Sequence, residues 1–252
     1  MHLRKYHGLG NDFLILLDRD GTQPVDGRVA RAVCDRHRGV GADGLIRVTA
    51  DPLTMELYNA DGSRAETSGN GLRCVARAVV DGGMADGPEL RVHTDAGPRR
   101  LVLHDDGTVS AEMGAAARAE HAAVYGHANG RAPRHLAVNV GNPHLVVEAA
   151  DPDALFGDAA AQYAVPSLNV ELVWFGPGAD EATMRVWERG VGETQACGSG
   201  ACAVAWAGRE WGLVGDTVTV HQPGGAVTVA LGDPITLTGP AEFVFEVDLA
   251  WP

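Results

Sequence analysis

Residues 2–18 alternate and then run apolar through Phe13-Leu14-Ile15-Leu16-Leu17, which predicts strands broken by a turn at Gly8-Leu9-Gly10-Asn11. Across residues 26–37, Val29, Ala32 and Val33 share one helical face, and Gly39 closes the helix. Residues 44–49 and 54–59 read as short strands, followed by a turn at Asp61-Gly62-Ser63. A second helix is predicted over 71–80, with Leu72, Val75, Ala76 and Val79 inward and Gly82-Gly83 as its stop. Residues 89–113 alternate as a three-stranded meander that turns at Ala96-Gly97-Pro98 and Asp105-Asp106-Gly107. The small-residue-rich segment 114–133 reads as a crossover, after which 135–148 repeats the strand–turn–strand opening. A short helix over 152–161, strands over 169–175 and 183–188 and a helix over 200–211 follow. Two hairpins, turning near Pro223-Gly224-Gly225 and Gly232-Asp233-Pro234, complete the pattern. The expected class is α+β: two halves, each a curled sheet around one glycine-started helix.

The two halves also repeat each other in sequence. Met55-Glu56-Leu57-Tyr58-Asn59 leads to Ser68-Gly69-Asn70-Gly71, and Met184-Arg185-Val186-Trp187-Glu188 leads to Cys197-Gly198-Ser199-Gly200 at the same spacing. A second echo sets Gly10-Asn11-Asp12-Phe13-Leu14-Ile15-Leu16 against Gly141-Asn142-Pro143-His144-Leu145-Val146-Val147. Similarity at half the chain length points to two pseudo-symmetric halves with an active site in the cleft between them. The expected boundaries are 1–114, joined by a tail of about residues 242–252, and 115–241.

Each repeat ends in a glycine-opened helix, whose first amides lack intrahelical acceptors and attract an anion. The same setting lowers the pKa of a thiol, so a thiolate is expected at Cys197. Ser68 and Cys197 could then flank one amino acid α-carbon. One group removes the α-hydrogen, the other returns a proton on the opposite face, and the helix amides hold the carboxylate. Neither metal nor cofactor is required.

Bulk properties narrow the alternatives. The 252 residues carry a net charge of −13 without a basic run, which argues against nucleic acid. No apolar stretch is long enough for a membrane span, and the first residues lack the core of a signal peptide. With four cysteines, reduced thiols in a cytoplasm are expected. Lys5 is the only lysine and lies far in sequence from both glycine loops, which argues against a pyridoxal Schiff base. Cys34-Asp35-Arg36-His37 has no second zinc-spaced pair, and Gly69-Asn70-Gly71 lacks the lysine of a phosphate loop. Cys34, Cys74 and Cys202 read as buried packing.

The spaced motifs His7-Gly8-Leu9-Gly10-Asn11-Asp12-Phe13, Gly39-Val40-Gly41-Ala42-Asp43-Gly44, Asn59-Ala60-Asp61-Gly62-Ser63, Gly69-Asn70-Gly71-Leu72-Arg73-Cys74, Gly141-Asn142-Pro143-His144 and Glu188-Arg189 through Gly200 closely resemble the diaminopimelate epimerase family over essentially the whole chain. The resemblance implies cofactor-independent interconversion of LL- and meso-diaminopimelate in lysine and peptidoglycan precursor synthesis, commonly by a homodimer. It assigns Cys197 as one base. Asn11, Asn59, Asn142, Asn169, Glu188 and Arg189 match readers of the distal amino acid end. Gly69, Asn70, Gly198 and Ser199 match the cradle of the reacting carboxylate, with His144 in support. Where the family has its second cysteine this chain has Ser68, a far weaker acid. Three readings of Ser68 stand: a native proton relay through water or a carboxylate, an engineered Cys→Ser change that binds but turns over poorly, or a shift to another amino acid or to one-base chemistry.

Overall fold

The computed structural model describes residues 1–119, 133–150, 168–189 and 192–250. The chain divides into one unit of Met1–Glu112 with Gly239–Pro252 and a second of Met113–Thr238. In the first unit β1 (His2–Gly8) and β2 (Asn11–Leu17) form a hairpin, and α1 (Gly27–Cys34) leads to β3 (Gly44–Thr49), parallel to β2. β4 (Thr54–Asn59) pairs antiparallel with β3 and with the short β5 (Arg64–Ala65). After α2 (Gly69–Asp81), β6 (Glu89–Thr94) lies parallel to β4 and opens the meander β6–β7 (Gly97–Leu103)–β8 (Thr108–Gly114).

The second unit repeats this wiring strand for strand. β10 (His135–Asn139) and β11 (Pro143–Glu148) form the hairpin, and β12 (Asn169–Phe175) lies parallel to β11. β13 (Glu181–Glu188) pairs with β12 and with β14 (Gly192–Thr194). After α3 (Gly198–Glu210), β15 (Thr217–Gln222) runs parallel to β13 and opens the meander β15–β16 (Gly225–Ala230)–β17 (Ile235–Pro240). The outer strands correspond too. β9 (Ala117–Arg118) flanks β10, and β18 (Glu242–Asp248), supplied by the end of the chain, flanks β1.

α2 and α3 are buried on nearly every side. In α2, Leu72, Cys74, Val75, Ala76, Ala78 and Val79 are all inaccessible to solvent, as are Ala201 through Ala205 in α3. A helix with so wide an apolar face packs inside a wrapped sheet, and each large apolar side chain so buried contributes roughly 1.5–3 kcal/mol. Cys34, Cys74 and Cys202 are buried free thiols. Among the described residues no helix is long and apolar enough to cross a membrane.

Some boundaries differ from expectation. α1 stops at Cys34 rather than near His37, because Asp35 leaves the helical conformation and accepts the amides of His37 and Arg38 at 2.8 and 2.9 Å. That local side-chain turn competes successfully with another helical turn. Both core helices begin two residues before the glycines expected to open them, because Ser68 and Cys197 are their N-caps. Trp211 caps α3 instead of belonging to it. The helix expected over 152–161 and most of the crossover expected over 114–133 lie outside the described residues.

Asp12, on β2, anchors a charged cluster. Burial alone would raise its carboxyl, but Arg36 at 2.7 Å and Lys5 at 2.7 Å outweigh burial and hold it at about 2. Because the folded value lies below the unfolded one, this stabilisation is complete above about pH 4 and is lost as pH falls towards 2. It amounts to about 2 kcal/mol. Urea unfolding midpoints measured between pH 5 and pH 2 should fall for the wild type, with a flatter dependence for Asp12→Asn.

Candidate active site

In the first unit the N-cap Ser68 has extended backbone, φ −144° and ψ 128°, and its Oγ accepts the Gly71 amide at 3.1 Å. Its carbonyl accepts the Leu72 amide, and Gly69 and Asn70 form the first turn of the helix. The Asn70 side chain is fixed between two partners. Its Nδ2 donates to Asn11 Oδ1 at 3.1 Å, and its Oδ1 accepts Arg73 Nη2 at 2.9 Å. Arg73 is wholly buried and also donates to the carbonyls of Gly69 and Pro240.

Asn11 arrives through the β1–β2 turn, where Leu9 and Gly10 adopt φ of 57° and 82°. Two consecutive left-handed residues match the right-handed twist of the hairpin. Asn11 Nδ2 donates to Asp43 Oδ2 at 2.8 Å, and Asp43 is itself paired with Arg36. The structure therefore joins Asn11, Gly69 and Asn70 in one hydrogen-bonded group beside Ser68. Asn59 is engaged more locally, with Nδ2 donating to Ser63 Oγ at 3.0 Å in the turn after β4.

In the second unit Cys197 occupies the matching cap, φ −128° and ψ 114°, and its Sγ accepts the Gly200 amide at 3.4 Å. Ser199 Oγ lies 3.6 Å from the sulfur, the Cys197 carbonyl accepts the Ala201 amide, and the Cys197 amide donates to Gln222 Oε1 at 2.7 Å. The expected thiolate is not what these surroundings favour. Burial, then the charges of Glu188 and Glu171, push the thiol well above its ordinary value; Ser199 and the Gly200 amide pull the other way and lose. Burial first, and the carboxylates of Glu188 and Glu171 after it, favour the neutral thiol at Cys197 over the anion that a helix start alone would favour.

Glu188 accepts a hydrogen bond from Thr194 across the β13–β14 pair. Asn169 Oδ1 accepts the Arg189 amide at 3.0 Å, and its Nδ2 donates to the Pro143 carbonyl at 3.3 Å. His144 is wholly buried and held at both ring nitrogens, Nδ1 by Glu171 Oε1 at 2.6 Å and Nε2 by Asn142 Oδ1 at 2.9 Å. Gly200 is required by close approach, since a Cβ there would stand 2.6 Å from Glu171 Oε1. Of the expected residues of this half, Ser199 and Glu188 act directly on Cys197, His144 and Asn142 are linked to each other and to Glu171, and Asn169 holds the Arg189 main chain.

Sequence reasoning passed over Glu171, Gln222 and Asp43 as site residues. Glu171 had a signal, as a lone carboxylate inside the apolar run of β12. Gln222 had none, because a polar residue ahead of Pro223-Gly224-Gly225 reads as turn.

A family model described as diaminopimelate epimerase matches residues 3–119 and 136–244. A diaminopimelate epimerase of Desulforudis audaxviator is 42% identical over 279 residues, with 98% of each chain covered. An O-ureido-serine racemase of Streptomyces lavendulae is 36% identical over 268 residues, covering 96% of this chain and 93% of that one. Among solved structures, a Bacillus anthracis phenazine biosynthesis protein of the PhzF family shares the fold at a TM-score of 0.76 and 16% identity, with 100% and 99% of the two chains covered. With the whole two-unit wiring and both capped helix starts in place, the chain belongs to the diaminopimelate epimerase family of isomerases.

Proposed function

We propose that this isomerase inverts the α-carbon of diaminopimelate, LL to meso, without a cofactor, in the synthesis of lysine and peptidoglycan precursors. The observation that carries the reading is the equivalence of Ser68 and Cys197, each the N-cap of the central helix in its own copy of the repeated topology. Cys197 and Ser68 are the proton-handling groups, one for each face of the α-carbon. The resting thiol of Cys197 donates a proton, and as thiolate it accepts one in the reverse direction. Ser68 acts as a relay: its hydroxyl takes up the α-proton while passing its own, directly or through water, to a neighbouring carboxylate, and the transfers run backwards in the reverse direction. The amides of Gly69, Asn70, Gly198 and Ser199 take the reacting carboxylate and the charge that develops on it. Asn11, Asn59, Asn142, Asn169, Glu188 and Arg189 read the distal amino acid group. Independence from pyridoxal is supported by Lys5, whose Nζ is tied to Asp12 and the Gly41 carbonyl.

The test is incubation with LL-diaminopimelate in deuterated water, following α-hydrogen exchange and product by NMR. Bound substrate with no exchange at any pH overturns catalysis and leaves a binder. The 36% identity to an O-ureido-serine racemase favours one second reading, racemisation of a smaller amino acid, which profiling against α-amino acids separates.

The working form is proposed to be a homodimer in the cytoplasm. Free thiols at all four cysteines support a reducing compartment. The outer strand β18 exposes Phe243 at 51%, Val244 at 45% and Phe245 at 39%, the largest apolar side chains left open among the described residues. Such a cluster marks an interaction surface, and a two-fold pairing covers it on both copies. Sedimentation should show a dimer that Phe243→Glu with Phe245→Glu converts to monomer; a monomeric wild type at micromolar concentration overturns the pairing.

A further inference from the structure

The two helix starts are equivalent in topology but not in how their caps are held. In each unit the loop before the cap is stitched to the tip of the following hairpin by one main-chain bond. The Ala96 amide donates to the Glu66 carbonyl at 3.2 Å in the first, and the Gly224 amide to the Gln195 carbonyl at 2.9 Å in the second. The residue at the end of the hairpin's first strand is Thr94 in one unit and Gln222 in the other. Each stands opposite a glycine, Gly97 and Gly225.

From this shared position the side chains diverge. The Thr94 hydroxyl turns into its own hairpin, donating to the Gly97 carbonyl at 2.8 Å and accepting the Ala96 amide at 3.2 Å. Gln222 reaches past its hairpin and accepts the Cys197 amide at 2.7 Å. Gln222 is 7% exposed, and its Nε2 has no hydrogen-bond partner among the described residues. A buried side-chain amide whose oxygen accepts from Cys197, while its nitrogen meets no acceptor among the described residues, marks the acceptor as the half that is used.

Resting on the reading of Cys197 as an acid–base group, we propose that Gln222 is a positioning residue for Cys197. The cap is then fixed at three atoms: the amide by Gln222, the carbonyl by Ala201 and the sulfur by Gly200. The last two belong to α3 and hold the cap to the helix. Gln222 alone among these partners comes from the surrounding sheet, so it sets where the sulfur stands relative to the rest of its unit. Proton transfer at carbon is sensitive to such placement, because a small displacement of an acid–base group removes it from reach of the hydrogen.

The experiment pairs Gln222→Met, which keeps length and volume but loses the acceptor, with Gln222→Glu, which presents an oxygen in either protonation state. Q222M should accelerate hydrogen exchange of the Cys197 amide about tenfold, the scale of one buried hydrogen bond. Its kcat should fall by a similar factor with KM within about threefold, while Q222E restores slow exchange. Should Q222M fail to fold, Gln222→Asn withdraws the acceptor by one methylene and carries the same expectations. Unaltered exchange at Cys197, or faster exchange with kcat unchanged, overturns the assignment. The exchange arm needs no substrate, so an enzyme inert towards diaminopimelate refutes the substrate reading separately from the hold on Cys197.

Discussion

Cys197→Ala should abolish α-hydrogen exchange, lowering it at least about a thousandfold, the upper range for removal of a general acid–base group. The reason is specific to this site. Ser199 Oγ is the hydroxyl nearest the sulfur at 3.6 Å, and a hydroxyl is too weak an acid to replace the thiol. The fold should survive, because the cap's main-chain bonds to Ala201 and Gln222 do not involve the side chain. Only the weak contacts of the sulfur with the Gly200 amide and Ser199 Oγ are lost. Proton NMR in deuterated water measures exchange, and thermal melting checks the fold. Residual exchange within tenfold of wild type would transfer the role to another group.

Ser68→Cys should act in the opposite direction and raise turnover by about a hundredfold, since an ordinary thiol near pKa 8.5 ionises far more readily than an alcohol. The cap geometry accommodates it. Sulfur holds the equivalent place in α3 with the same amide contact, at 3.4 Å instead of 3.1 Å. Ser68→Ala tests the relay from the other side. A relaying hydroxyl makes the alanine variant slower than wild type, leaving exchange ahead of inversion. Equal rates for serine and alanine, or no gain with cysteine, would show that Ser68 only caps the helix. Kinetics in both directions with matched protein concentrations separate these outcomes.

Much of the fold was legible because it rests on local signals. Alternation across 89–113, the apolar runs of β2 and β12 and the glycines around both caps each report a backbone period or a tight turn directly. The Asp35 turn was harder, since an aspartate following an apolar helical face suits either another helical turn or an Asx turn. At the candidate site, Ser68 and Cys197 were singled out by repetition between the halves and the asparagines by resemblance, and the structure adds that the first two cap equivalent helices. The charge state of Cys197 was not legible. A glycine-opened helix favours a thiolate in isolation, and only the fold buries the sulfur and adds the charges of Glu188 on β13 and Glu171 on β12, which together oppose that preference. Gln222 was hidden for a related reason. Its partner is a main-chain amide 25 residues away, and no residue pattern encodes a bond to backbone at that distance.

The placement of β18 bears on how the chain matures. The first unit gains its outer strand from residues 242–248, and Arg73 in its central helix donates to the Pro240 carbonyl. During translation, then, the amino-terminal unit stands unfinished until the whole intervening unit has left the ribosome. The exposed edge of β1 in that nascent intermediate is where premature pairing with other chains would begin.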